Sequence, residues 1–114
     1  MPTEHKEGFN PTLFKCIDKA ATSILGRESI STFYYAIQES YHIPEEDFPK
    51  RPQDVLKSLH NFLGDAGFAI IKNAVTIEVR TTFKIQGENL DLDTVIELAK
   101  RSYLLEDINP GARV

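Results

Sequence analysis

The residue types that most often bind metal ions are few and scattered in this 114-residue chain. Its three histidines, His5, His42 and His60, and its one cysteine, Cys16, never lie three or four positions apart, the spacing that puts two ligands on one helix face. His42 precedes an acidic run at residues 45–47 that resembles a hard-cation site. An acidic run in a proline-rich connector is more typical of solvated charge at a helix start. We therefore predict no metal site.

Signatures of covalent or phosphate chemistry are also missing from the sequence. No Gly-x-Ser-x-Gly motif is present. Residues 64–67, Gly-Asp-Ala-Gly, precede an apolar run but lack the Lys-Ser/Thr pair of a phosphate-binding loop, and Asp65 would repel phosphate. Cys16 is interpreted as a small buried hydrophobic residue, since Lys15 and Lys19 give only weak support for a reactive thiolate. The sequence predicts no catalytic residue and no cofactor, and the chain is not expected to be an enzyme.

A protein-binding surface is the better-supported expectation. Tyr35 lies off the apolar stripe of its predicted helix and beside polar neighbours, and a tyrosine in such a position is either simply exposed or part of a contact surface. Two leucines lie at the edge of the apolar stripe of the last predicted helix. The predicted interaction surface consists of Tyr35, Gln38, His42, Leu98 and Leu105. The expected partner is another protein or a second copy of the chain.

Composition predicts one domain in an ordinary cytoplasmic setting. With 41% hydrophobic and 26% charged residues, the chain can form one core, which we place at residues 10–106 with flexible tails at 1–9 and 107–114. The longest uncharged apolar run is too short to cross a membrane, and the first ten residues lack the apolar core of a secretory signal. The single cysteine excludes a disulfide framework. The net charge of −4, evenly spread, disfavours a nucleic-acid partner.

Five helices are predicted to position these residues. The first begins at Asn10-Pro11 and ends at Gly26, and Ser29 caps a second that stops before Pro44. A connector follows, in which one helical turn at 44–48 would let Phe48 fill a gap in the core. The third helix begins at Pro52 and is stopped by Gly64. Asp65 caps the fourth, and Asp91 or Asn89 caps the fifth. The predicted fold class is therefore all-α, with about five helices in a small bundle-like array.

The stretch at 64–85 is expected to be the central element. As a helix it gathers its polar side chains in an arc of roughly 120°, and apolar side chains take most of the remaining circumference. Such a helix has to be covered on several sides. Residues 75–85 also alternate strictly between β-branched or aromatic and polar side chains, which is the strand signal. A strand here has no evident partner within the chain, so the helix is favoured and the strand remains the alternative.

Residues 25–75 resemble a small archaeal family of helical domains that serve as output domains of signalling proteins, the Nitrosopumilus-type output domain. The matching features are Leu25-Gly26 with Glu28-Ser29, an aromatic residue at 34 or 35, Tyr41-x-Ile43 before Glu46, the connector prolines, Leu59, Phe62, and Gly67 opening the long helix. The chain departs from the pattern in its threonine- and valine-rich stretch at 75–85 and in its fifth helix. The resemblance implies a wholly helical fold without catalytic residues.

The resulting expectation is a non-catalytic interaction or signal-output domain that works through protein–protein contacts, as a homodimer or with another protein. The alternative is a DNA-binding transcriptional regulator that uses the helix at 65–84. Its recognition side would be formed by Lys72, Arg80 and Lys84. In an acidic protein, three cations on one helix are more typical of a solvated face.

Overall fold

The chain is all-α, as predicted, in a computed structural model that describes residues 8–108, with side chains through Leu105. Four α-helices and one 3-10 helix make up this part of the chain. Their bounds are α1 Phe9–Leu25, α2 Arg27–Tyr41, the 3-10 helix Glu45–Lys50, α3 Pro52–Phe83 and α4 Leu92–Ile108. Residues 8–108 contain no strand.

α3 is broken at Gly64, the position at which the sequence predicts a helix end. Gly64 has φ 77° and ψ 173°, a backbone conformation that is essentially reserved for glycine. The break divides α3 into two segments, α3N (52–63) and α3C (65–83), which correspond to the predicted third and fourth helices. The residue at the junction is Gly64 itself, so Asp65 does not act as the predicted cap. Its carboxylate instead lies 2.7 Å from His60 Nε2.

The strand alternative for 75–85 is wrong. α3C remains helical to Phe83, and Lys84 ends it in the left-handed conformation with its N–H bonded to the Arg80 carbonyl. Four side chains of this segment are buried on one side, at spacings of three and four residues: Phe68, Ile71, Val75 and Val79. Helical periodicity is favoured over alternation because it buries these four side chains together, while a lone strand would leave its backbone groups unpaired.

α3C is the central element of the core. The whole of α3 has its two most extensive helix contacts with α1 and α4, and α3C meets α1 at Thr82, which accepts from Cys16, and at Glu78, which pairs with Lys19. Near its C-terminal end the Phe83 ring lies 5.4 Å from Phe9, which in turn lies 6.0 Å from Tyr103 of α4. The predicted apolar face of the last helix is confirmed, since Leu92, Val95, Ile96 and Ala99 are buried. Each fully buried aliphatic side chain contributes about 1.5–3 kcal/mol to the burial free energy.

The connector between α2 and α3 contributes to the core through Phe48. This side chain is fully buried on the 3-10 helix, with its ring 5.1 Å from Tyr34 and 6.1 Å from Phe14. The predicted helical turn and the predicted role of Phe48 are both confirmed. Pro44 immediately precedes this 3-10 helix, Pro49 lies inside it, and Pro52 begins α3.

Two predicted helix starts differ from the structure for the same reason. Glycines at 8 and 26 immediately precede α1 and α2, so both helices begin earlier than predicted. Asn10 lies in the first turn of α1 and donates to the Lys50 carbonyl at 3.4 Å, and Ser29 lies inside α2. A positive φ of 91° lets Gly26 end one helix and start the next without a linker.

Parts of the two predicted tails are helical in the structure. Phe9 belongs to α1 and packs in the core, and residues 107–108 belong to α4. The remainder of the predicted tails, 1–7 and 109–114, lies outside the described residues.

Candidate interaction surface

One face of the central helix is left uncovered, contrary to the expectation that it would be enclosed on several sides. Ile70 and Ile77 are 58% and 56% exposed, whereas the adjacent Ile71 is 1% exposed. The reason is the arrangement of the neighbouring helices. α3 packs against α1 and α4 and buries Ile71, Val75 and Val79, and the side of α3C that carries Ile70 and Ile77 faces solvent.

The exposed strip along this side carries no charge over about four turns. We call it the α3C face, and its exposed residues are Ala66, Ile70, Asn73, Ile77 and Thr81. Their spacing of three or four places them on one side of the helix. Single exposed hydrophobic residues are normal on a protein surface. On this face only Asn73 lies between Ile70 and Ile77, so the two isoleucines form an uncharged and largely apolar strip, which marks a candidate contact site.

The charged residues of α3C lie outside this strip, and Glu78 and Arg80 have partners within the fold. Lys72 lines a cleft beside Asp91, and Glu78 pairs with Lys19 of α1 at 3.7 Å. Arg80 donates through its guanidinium to the Gly87 carbonyl in the loop before α4. The three cations considered for DNA recognition therefore have different settings: Lys72 is exposed beside the cleft, Arg80 binds the Gly87 carbonyl, and Lys84 caps the helix.

The predicted interaction residues lie on two helices with different neighbours. Tyr35 is 64% exposed and Gln38 half-buried on α2, which packs against α1, α3 and the 3-10 helix. His42 is exposed and ends α2 in the left-handed conformation, with its N–H donating to the Gln38 carbonyl at 3.0 Å. On α4, which packs against α3, Leu98 is half-buried and Leu105 is 62% exposed. These five residues stay a predicted surface.

A second partly exposed apolar group joins α2 to α3N. The Phe62 ring lies 6.0 Å from Tyr41, edge to face, and 6.2 Å from Phe33. The Tyr41 hydroxyl accepts a hydrogen bond of 2.9 Å from Asn61 Nδ2. These side chains pack on one another and satisfy their own polar groups, so their partial exposure fits an internal helix contact.

A cleft of about 540 Å³ lies where α3N, α3C and the start of α4 meet. Its aromatic wall is formed by His60, whose ring stacks on Phe68 at 4.5 Å and whose Nε2 pairs with Asp65 across the break. Asp91 accepts the Thr94 N–H at 2.9 Å and so caps α4, as predicted. The hydrogen bonds from Thr94, with help from Lys72, lower the pKa of Asp91 below its ordinary value. These contacts hold the break and the α4 start in place.

Cys16 is a buried thiol, as predicted. It is 4% exposed and donates towards Thr82 Oγ1 at 3.4 Å, on the α1–α3C contact. Burial raises the pKa of this thiol above its ordinary value, and the nearby Glu78 carboxylate adds to the effect. The thiol therefore stays protonated and acts in packing.

Among the described residues, no cluster of three or more His, Cys, Asp or Glu side chains could hold a metal ion. Within the same part of the chain, no helix has both the length and the apolar character needed to cross a membrane. The comparisons with known proteins gave no match to any family model, any curated protein or any solved structure.

Proposed function

We propose that this domain functions by protein–protein contact, through burial of the α3C face against a partner and without a covalent step. The observation that supports the proposal is the exposure of Ile70 and Ile77 on the helix that otherwise forms the centre of the core. A helix that is apolar around most of its circumference is stable when it is covered on most sides. Here the fold buries one side of α3C, so a partner would cover the side that carries Ile70 and Ile77.

The energetics fit a contact of moderate strength. Full burial of an isoleucine side chain contributes about 1.5–3 kcal/mol, and more than half of each side chain is still available. The face carries no charged group, so its burial requires the desolvation of no charge. A signalling or regulatory role, as the sequence resemblance suggests, suits a contact that forms and dissociates.

The test is a pull-down from the source cell with three forms of the chain. The wild type is compared with Ile70→Asp/Ile77→Asp and with Tyr35→Asp/Leu105→Asp, which changes two side chains of similar exposure in the surface predicted from the sequence. We expect the isoleucine variant to lose the bound protein and the control variant to keep it. Retention by the isoleucine variant, together with loss by the control, would assign the contact to the other surface.

A further inference from the structure

The α3C face has a pattern that can pair with itself. Ile70 and Ile77 flank Asn73, and reversing the direction of the helix exchanges the two isoleucines while leaving the asparagine near the centre. A surface with this property can form a two-fold symmetric contact, in which the same patch is used by both copies. The spacing of Ala66, Ile70, Asn73 and Ile77, alternating four, three and four, is also the seam spacing of paired helices.

Asn73 adds a reason for pairing with an identical copy. A side-chain amide carries both donors and an acceptor, so two asparagines that meet at a two-fold axis can hydrogen-bond to each other. A wholly apolar partner would leave this amide unsatisfied after burial, which is costly.

The charges at the ends of α3C determine the orientation. The N-terminal end carries Asp65, whose side chain is fully exposed, and the C-terminal end carries the exposed Lys84. An antiparallel pair sets the acidic end of one copy beside the basic end of the other. A parallel pair would set Lys84 beside Lys84, and like charges at a contact are unfavourable.

The available area indicates a weak complex. From Ala66 to Lys84 the face is about 27 Å long at 1.5 Å per residue. A single helix face of this length provides less than the ~800 Å² per partner of a standard stable complex. We therefore expect a dimer that forms at roughly 10–100 µM or above.

Building on the proposed function, we infer that the occupant of the α3C face is a second copy of this chain, packed antiparallel about a two-fold axis near Asn73. Ile70 of each copy then contacts Ile77 of the other. The contact uses side chains that are already exposed, so no helix of the fold has to move.

Sedimentation equilibrium on the purified full chain, from about 10 µM to about 1 mM, tests the occupant. We expect a monomer–dimer equilibrium whose Kd rises at least about tenfold in Ile70→Asp and in Ile77→Asp. The Kd should change less than about twofold in Ile24→Asp, which alters a 46% exposed isoleucine on α1 that belongs to neither surface. Asn73→Ile should lower the Kd, a gain that a misfolded chain could not produce. A monomer throughout this range would overturn the inference, as would a dimer that persists in both isoleucine variants. The pull-down would still decide the proposed function separately.

Thiol cross-linking tests the orientation. Ile70→Cys mixed with Ile77→Cys should cross-link several-fold more than either variant alone, because the antiparallel pair brings these two positions together. The wild type is the blank, since its only cysteine, Cys16, is buried. Efficient cross-linking of Ile70→Cys with itself would indicate a parallel pair and overturn the antiparallel arrangement.

Discussion

Ile70 and Ile71 are neighbours in the sequence with opposite environments, 58% and 1% exposed. Ile71→Asp places a carboxylate in the core without a partner, and we expect it to cost more than about 4 kcal/mol or to unfold the domain. Ile70→Asp should change the free energy of unfolding by less than about 0.5 kcal/mol in dilute protein. Urea denaturation followed by circular dichroism measures both. Equal costs would contradict the orientation of α3C.

Tyr34 is a buried polar residue with a definite partner. Its hydroxyl donates to Asp18 Oδ1 at 2.7 Å, between α2 and α1, and the side chain is 7% exposed. Tyr34→Phe leaves the Asp18 carboxylate without this bond, so we expect a loss of about 1–3 kcal/mol in the free energy of unfolding. Tyr35→Phe, on the exposed neighbour, should change it by less than about 0.5 kcal/mol.

The same pair predicts a pH dependence. Burial, followed by the hydrogen bond and the charge of Asp18, raises the pKa of Tyr34 well above its ordinary value. The unfolded chain loses the tyrosine proton near pH 10, whereas the folded chain keeps it. The stabilisation from Tyr34 is therefore fully present below about pH 10 and declines as the pH rises further. Urea denaturation at about pH 8 and about pH 11 measures the free energy of unfolding of the wild type and of Tyr34→Phe. The difference between the two proteins should be smaller at the higher pH. A constant difference would contradict the raised pKa.

At the scale of the element, the break in α3 depends on one residue. A Cβ at Gly64 would meet no atom within 4 Å, so only its backbone conformation resists substitution. Gly64→Ala should cost about 1–3 kcal/mol, measured by thermal or urea unfolding. His42 provides a control in which the change in stability should have the opposite sign, because it is a non-glycine residue with a positive φ of 57° at an exposed helix end. His42→Gly should be neutral or stabilise by up to about 1 kcal/mol. Destabilisation by His42→Gly beyond that by Gly64→Ala would refute this assignment.

The elements that sequence analysis predicted well are those with local causes. Gly64 ends α3N, Phe48 fills the core from a turn that follows Pro44, and Asp91 caps α4. The errors in the two helix starts also have a local cause. Asn10 and Ser29 are good caps, but Gly8 and Gly26 lie just before them, and each helix begins directly after its glycine.

The exposed face of α3C could not be predicted in this way. Ile70 and Ile77 are of the same residue type as the buried Ile71, and helical periodicity gives only their angle around the axis. Which angle stays open depends on where α1 and α4 pack, and that is a property of the tertiary fold. The sequence contained one signal of an exposed apolar side, namely the width of the apolar arc, which is more than the neighbouring helices cover. A conflict between sequence pattern and burial of this kind is expected at functional sites.

At the scale of the molecule, the central position of α3C predicts an order of local stability. Val75 and Val79 of α3C are fully buried, so their amides should exchange hydrogen only when the whole domain unfolds. Near the end of α4, Leu104 and Leu105 are 46% and 62% exposed, and amides at 103–105 should exchange through local opening. Native-state hydrogen exchange by NMR measures both sets against the free energy of unfolding obtained with urea. Slower exchange in α2 than at 75–79 would show that the core is organised around a different helix. The α3C face would then no longer be the exposed side of the central helix.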